Sequence, residues 1–513
     1  MKSLRLLRLL ALGAGSLVLS PQTLPAIEAE ARNAAAAAIT ESDVKHHVDV
    51  LADDTFEGRE AGTRGNRAAG IYLVKRFEEL GISPGGPEGS YYQQGNGISN
   101  ILALVPGGDP DLRDEVIVIG AHYDHVGYGT RRNSYGPVGY IHNGADDNAS
   151  GVAALMEIAD AVSHLPEKPR RSILFALWDG EEKGLLGSKY WVNHPTVPLK
   201  NVRVAINVDM IGRLRKSKLQ VYGIRTLPGS RQLVSRQNVD GLLLDFNWDM
   251  RGDSDHYSFY SRGIPVLMLH TGLHDDYHRP SDDVERINSE GLKDISRLMF
   301  AVLIELADAP NLSRFRSQSR LESESIKRRI EVSLPPPPGR LGIRWQEQAA
   351  QDGKIVVEQV TSGSAADKGG LESGDRIVTF DGLEVSDPDA FRLAVLGAEN
   401  PVPVTVERPG EDDPVELELE LRGDPVRLGI SWRVDSAEPG AVIVNRLIPG
   451  SPAAMAGLRA GDRVIGIGGR QFSDGDEFHE LAHSLPDPVV LEVETDGRVR
   501  LVDIPPLPKR DEK

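Results

Sequence analysis

Short, nearly continuous apolar runs alternate with helix-periodic segments along the N-terminal part of the chain. The runs are VIVIG at 116–120, ILFAL at 173–177, VRVAINV at 202–208 and PVLMLH at 265–270. Runs of this length suit central strands covered on both faces of an α/β sheet. The segment 40–80 reads as helical. Within it, 66–80 places Ala69, Leu73, Phe77 and Leu80 on one face and stops at Gly81. A Gly/Pro-rich loop follows at 83–97. After Ser150, the residues Val152, Leu155, Ile158, Ala159 and Val162 again share one helical face. The pattern predicts an α/β domain over 40–308, with a mixed, mostly parallel central sheet and helices on both faces.

Beyond Ala309 the pattern changes. Residues 314–329 are charged and helix-forming, and 335–338 are four prolines, so 309–339 reads as a linker. An internal repeat comes next. RLGIRW at 340 recurs as RLGISW at 427, GSAA at 363 as GSPA at 450, and GDRI at 374 as GDRV at 461, each 87 residues on. Turn glycines and short β-branched runs predict two copies of one small β-rich domain, at 340–422 and 426–507.

Composition narrows the function. The net charge of -18 over 513 residues argues against a nucleic-acid partner, which needs a basic face to replace counterions. There are no cysteines, so disulfides, thiolate metal sites and a cysteine nucleophile are excluded. Any metal must be held by His, Asp and Glu. Lys2, Arg5 and Arg8 precede an apolar stretch at 9–19 and the small residues Ala29-Glu30-Ala31. This reads as a signal peptide within 1–31, because the apolar stretch is too short to cross a bilayer. The mature chain is therefore expected to be secreted or periplasmic, without a membrane span.

The candidate chemistry lies where the predicted strands end. VIVIG runs into His122 and Asp124, ILFAL into Asp179, Glu181 and Glu182, VRVAINV into Asp209, and PVLMLH towards Asp275, Asp276, Tyr277 and His278. Ligands of open α/β sheets bind at the carboxyl ends of the strands. A further acidic pair, Asp146 and Asp147, sits in the turn HNGADDNAS at 142–150, ahead of a helix. Taken alone, that pair reads as a helix cap. Imidazole and carboxylate without thiolate suit Zn²⁺, with Mn²⁺ or Co²⁺ as alternatives. Two such ions can share a carboxylate and activate a water, and a carboxylate left off the metals can serve as general base.

The motifs AHYDHVG, NGADDNASG, WDGEEKGLLGS, NVDMIGR and DYHRPSDD, in this order, resemble those of the secreted co-catalytic zinc aminopeptidases, whose relatives include glutamate carboxypeptidase and glutaminyl cyclase. The resemblance covers 40–308. It implies two Zn²⁺ per catalytic domain, one held by His122 and Asp209, the other by Glu182 and His278, with Asp147 bridging. It also implies Glu181 as general base, Asp124 as the carboxylate that orients the first metal-binding His, and Tyr277 as donor to the oxyanion. The implied substrates are peptides with a free N-terminus. Too few residues separate the Gly97 loop from the core strands for the family's protease-associated insert. The implied alternatives are carboxypeptidase or glutaminyl cyclase chemistry on the same fold, or an inactive scaffold.

Both repeats resemble PDZ domains of the bacterial protease type. RLGI at 340–343 and at 427–430 is similar to the loop that captures a peptide C-terminal carboxylate, so peptide C-termini or protein partners are implied. Three further features read differently. Asp146 is expected in a turn or cap role. His125, His142 and His270 are expected to be ordinary loop or packing histidines, while the loop with Ser254, Asp255, His256 and Tyr257 is a candidate substrate contact. His479-Glu-Leu-Ala-His483 matches the H-E-x-x-H zinc signature, but it falls in only one of the two repeats and has no evident third ligand.

Overall fold

The computed structural model describes residues 27–507. The charged and apolar stretch of the expected signal peptide, 1–26, lies outside them. Of the rest of that segment, Ile27 is buried and its backbone N–H donates to Asp308 Oδ2 at 2.9 Å. Among the described residues no helix is long and apolar enough to cross a membrane.

The N-terminal unit is a nine-stranded mixed sheet. Its strands are β1 (Ser83–Pro84), β2 (Tyr92–Gly95), β3 (Ile98–Val105), β4 (Val116–His122), β5 (Ser172–Trp178), β6 (Val202–Val208), β7 (Lys218–Tyr222), β8 (Leu243–Asn247) and β9 (Val266–His270). The spatial order is β1-β3-β5-β4-β6-β9-β7-β8, with β2 beside β3. The four central strands β5, β4, β6 and β9 run parallel, β3 is antiparallel to β5, and β7 is antiparallel to β9. Those four are the strands the apolar runs predict. β7 and β8 escape that pattern because only alternate residues of each are buried, so neither forms a continuous apolar run.

The helices are α1 (Ala29–Ala38), α2 (Glu41–Leu51), α3 (Arg64–Glu79), α4 (Gly151–Ser163), α5 (Leu186–Asn193), α6 (Ser230–Gln237), α7 (His256–Tyr260) and α8 (Ser289–Asp308). Side chains of β4 alternate between two cores. Ile117, Ile119 and Ala121 pack with residues of α1 to α4 and α8, whereas Val116 and Val118 pack with Trp191 of α5 and Phe259 of α7. Helix starts follow their polar caps: Thr40, Thr63 and Asn288 side chains accept from the backbone N–H of Asp43, Asn66 and Gly291. Since α1 joins this core, the packed unit begins ahead of residue 40.

Each repeat forms its own antiparallel sheet and core. The first has β10 (Ile343–Trp345), β11 (Ile355–Val360), β12 (Arg376–Phe380), β13 (Leu383–Glu384), β14 (Val402–Glu407) and β15 (Val415–Leu419). The second has β16 (Ile430–Arg433), β17 (Val442–Leu447), β18 (Arg463–Ile467), β19 (Val489–Thr495) and β20 (Arg498–Ile504). The longest helix of each repeat, Pro388–Gly397 and Gly475–Ser484, packs on its sheet beside shorter helical turns. Arg340 explains the repeated Arg-Leu-Gly-Ile: its guanidinium donates to the carbonyls of Val395, Leu396 and Ala398, tying the loop to the helix end. Arg427 repeats this towards the Ala482 and Leu485 carbonyls.

The segment between the sheets is tied down rather than loose. Its helix α9 (Glu324–Ile330) hydrogen-bonds to the end of β8 and the residues after it, and the second repeat covers the β8 edge, where Leu244 N–H donates to the Asp496 carbonyl at 2.9 Å. Covering an edge strand removes a template for unwanted pairing.

Candidate metal centre

Because β4, β5, β6 and β9 are parallel, the loops that leave their C-terminal ends meet on one edge of the sheet. His122 is the last residue of β4, Glu181 and Glu182 follow β5, Asp209 follows β6, and Tyr277 and His278 lie on the loop after β9. Asp147 comes from the turn ahead of α4. His122 Nε2 lies 3.3 Å from Asp147 Oδ1 and 3.4 Å from Asp209 Oδ1. On the other side, His278 Nε2 lies 3.1 Å from Asp147 Oδ2 and 3.1 Å from Glu182 Oε2. The structure thus brings the five sequence-derived ligand candidates into two donor sets, with one oxygen of Asp147 turned to each.

Glu181 and Tyr277 line the same cavity beside His122 and Asp209. Asp124 is buried, but its carboxylate Oδ1 is 3.8 Å from His122 Nδ1 and accepts instead from the Glu181 N–H at 3.0 Å. The backbone carbonyl of Asp124, at 3.1 Å, is the group that meets His122 Nδ1. The orienting contact is therefore main-chain, and the carboxylate positions the loop that carries Glu181.

Several residues that the sequence reading left without a role complete the site. His125 Nδ1 is 2.8 Å from Glu182 Oε1 and 3.7 Å from Asp147 Oδ2, so it joins the second donor set rather than packing as an ordinary loop histidine. His142, by contrast, bonds to Ser134 Oγ at 2.7 Å and packs. His270 Nδ1 accepts from the Gly272 N–H at 2.6 Å, and its side chain lines the cavity. Asp146 supports the turn through Ser150 but does not cap the helix. Its fully buried carboxylate accepts from Gly212 N–H at 2.6 Å and from the Ser150 hydroxyl, and lies 3.0 Å from His274 Nε2. Asp282 receives the backbone N–H groups of Asp146 and Asp147, and so aims the shared carboxylate. Ser254 Oγ donates to Asp209 Oδ2 at 2.6 Å, which ties the 254–257 loop to the first donor set.

Arg59 was invisible as a lone charge on a turn. It is 1% exposed and donates to the carbonyls of Leu51, Tyr123, Asn143 and Gly144, clamping the strand end before Asp124 to the turn before Asp147. Burial draws its guanidinium down to about 10 against the pull of Asp147, Asp124, Asp282 and Glu182. A short local motif could not have marked these residues, because their partners lie far along the chain.

The electrostatics suit a cation. Burial alone would raise the Asp147 carboxyl, yet the His122 and His278 rings beside it hold it well below the ordinary range. The same carboxylates overcome burial at His278 and push that ring up to about 10. Burial, with Glu182, Asp255 and Asp209 nearby, drives the Glu181 carboxyl well above its ordinary value. His125 Nε2 is buried without a hydrogen-bond partner, and His278 Nε2 makes no aligned bond despite its two close carboxylates. Imidazole and carboxylate donor atoms crowded around two common centres fit divalent ions. Among the described residues these two groups are the metal-competent clusters, and the 479–483 motif is in neither. His479 and His483 are exposed on one helix, where His483 Nδ1 sits 2.8 Å from the His479 carbonyl.

Fold and site together define a metallopeptidase-like α/β domain with two appended repeats. Residues 100–303 match the model of peptidase family M28, and residues 339–421 and 443–495 match PDZ domain models. The chain carries an M28 peptidase domain followed by two PDZ domains. It is 30% identical over 269 residues to leupeptin-inactivating enzyme 1 of Streptomyces exfoliatus, an alignment covering 50% of this chain and 56% of that protein. It is 29% identical over 202 residues to aminopeptidase YwaD of Bacillus subtilis, covering 37% and 41% respectively. The chain thus spans about half the length of these curated relatives. Among solved structures, the LapA aminopeptidase of Legionella pneumophila is similar at 20% identity and a TM-score of 0.47, covering 60% of this chain and 81% of that one.

Proposed function

We propose that this protein is an exported aminopeptidase that uses two zinc ions to hydrolyse the first peptide bond of substrates with a free N-terminus. The observation that carries the reading is the pair of donor sets sharing Asp147, with Glu181 beside them and bound to neither. His122 and Asp209 would hold one ion and Glu182 and His278 the other, with Asp147 between them and His125 next to the second. When bound, the ions supply an activated water and polarise the scissile carbonyl. Glu181 takes the proton from the attacking water and delivers it to the leaving amine, a role suited by a carboxyl whose affinity for protons is raised. The Tyr277 hydroxyl, which burial and the surrounding carboxylates keep protonated, donates to the developing oxyanion.

The two PDZ domains are proposed to hold peptide C-termini or protein partners. In the first, a cavity of about 290 Å³ opens between the 340–343 loop and helix Pro388–Gly397, lined by Leu341, Ile343, Phe391 and Val395. Pro336 and Pro337 of the linker, with Ile448 and Pro449 of the second domain, border its mouth.

The test is metal analysis of the purified protein joined to a panel of free and N-acetylated peptides. Two zinc ions per chain and cleavage of only the free peptides are expected. Glu181→Gln should keep the zinc and lose turnover by about a thousandfold. Near-normal rates in that variant would falsify the role of Glu181.

A further inference from the structure

The cavity at the metal centre continues away from the ligands and has a volume of about 440 Å³. Its apolar lining is the buried Met210 and Met268, together with the largely exposed Leu273. Its outer wall is polar: Gln220 of β7, Asn247 at the end of β8, and the loop that carries Arg251 and Asp253. Two of these groups are already engaged. Gln220 Oε1 accepts from the Tyr222 hydroxyl at 2.8 Å, and Asn247 Oδ1 accepts from the Asp249 N–H at 2.9 Å, which leaves the amide NH₂ groups available. The Arg251 guanidinium is 3.6 Å from Asp249, so its charge is matched. Asp253 is exposed and has no hydrogen bond or ion pair among the described residues. Asp253 is therefore the charged group of this wall without an ion-pair partner among the described residues, beside an Arg251 that is paired with Asp249.

We infer that this pocket selects peptides whose first residue is lysine or arginine, the aliphatic stem lying along the two methionines and Leu273 and the cationic head meeting Asp253. The inference rests on the aminopeptidase reading, which fixes the first residue as the one beside the metals. An apolar first side chain would meet Met210, Met268 and Leu273 but gain nothing from the Asp253 carboxylate. A cationic first residue makes both contacts, and that difference in binding is what separates the two classes of substrate.

The experiment compares lysyl-, arginyl-, leucyl- and glutamyl-anilides with the zinc-loaded full chain and its Asp253→Asn variant. The wild type should favour the two basic anilides over leucyl-anilide in kcat/KM by about tenfold or more. Asp253→Asn should lose most of that preference through KM while cleaving leucyl-anilide within about twofold of wild type. A wild-type preference for leucine, or an equal loss on every anilide, overturns the inference and leaves the aminopeptidase reading standing. No turnover of any anilide by the zinc-loaded wild type instead overturns that reading, and the inference with it.

A separate observation concerns what holds the outer wall in place. Trp248 N–H donates to Glu324 Oε1 of α9 at 2.7 Å, and Glu324 N–H donates to Asp249 Oδ1 at 3.0 Å. The Arg225 guanidinium stacks on Trp248 at 3.7 Å and is gripped by Glu322 at 2.6 Å and by Asp435 of the second PDZ domain at 3.0 Å. Asp435 lies two residues past β16, the strand of that domain's peptide groove. The geometry points to Asp435 and Glu324 as positioning residues for the substrate pocket, so that the second PDZ domain completes the peptidase rather than hanging from it. In the full chain, Asp435→Asn should raise KM for the preferred anilide about fivefold with kcat and zinc content kept. Asp435→Glu should restore part of the loss, and Glu324→Gln should reproduce it if Asp435→Asn does not fold. Unchanged KM in the folded variants, with only a lowered melting temperature, assigns these residues a purely structural role and overturns the inference.

Discussion

Arg59→Met tests whether the candidate metal centre depends on a buried cation that touches none of its proposed ligands. The wild-type guanidinium fills four hydrogen bonds to main-chain carbonyls, at 3.0 Å to Tyr123, 2.5 Å to Leu51, 2.7 Å to Asn143 and 3.0 Å to Gly144. Hydrogen bonds from a charged donor contribute about 1.5 kcal/mol each at the lower end, so the gross loss is about 6 kcal/mol. Methionine fills most of the stem volume and removes the cost of burying a guanidinium, which offsets a third to a half of that loss. A net destabilisation of about 3–4 kcal/mol remains. For a unit of this size, each kcal/mol shifts the midpoint by about 2–3 °C, so the first thermal transition should fall by about 6–12 °C. Scanning calorimetry at saturating zinc reads this directly. Zinc affinity should fall as well, because the turn before Asp147 loses its anchor. A Met variant that melts within about 1 °C of wild type would show that the carbonyls find other partners, and the reasoning would fail.

The neighbouring acids separate by readout. On the proposed two-zinc reading, Asp147→Ala should lower bound zinc at both sites, measured by metal analysis after gel filtration. Asp146→Ala, which strips three contacts in a dry interior, should instead lower stability by about 3 kcal/mol in urea titrations. Burial works against the charged form of Asp435, but Arg225 and the Ala437 N–H outweigh it and hold the carboxyl down to about 2. A depressed folded-state value contributes stability that is complete above the unfolded value of about 3.9 and is lost as pH falls towards 2. Trp248 fluorescence, reporting the stacked Arg225, should therefore change in that window, and Asp435→Asn should remove that component. Replacing His479 and His483 together by alanine should leave zinc content unchanged, since neither belongs to a donor cluster.

The central strands were legible in the sequence because strands buried on both faces are apolar almost throughout. The repeat was legible because the same local turns and strands recur 87 residues on, from Ile343–Trp345 to Ile430–Arg433 and from Arg376–Phe380 to Arg463–Ile467. Four of the ligand candidates stood out in the sequence because they lie at the end of such a strand or on the loop that follows it, and Asp147 because it lies in the turn motif ahead of α4. Parallel neighbours then leave little freedom about which edge they share.

Tertiary structure decided the rest, wherever one side chain's meaning depends on partners distant in the chain. Asp146 reads as a helix cap locally, yet its carboxylate is used by Gly212 and His274. His125 reads as an ordinary loop histidine until the fold sets it, with His278, against Glu182. Arg59 looks like a surface charge until carbonyls from three separate segments close around it. Arg225 and Asp435 lie 210 residues apart and belong to different domains. Local pattern carries the period of burial and the chemistry of a motif. The desolvation and pairing of a charge are set by everything packed around it, and for these residues that surrounding shell exists only once the sheet, the linker helix and the second repeat have come together.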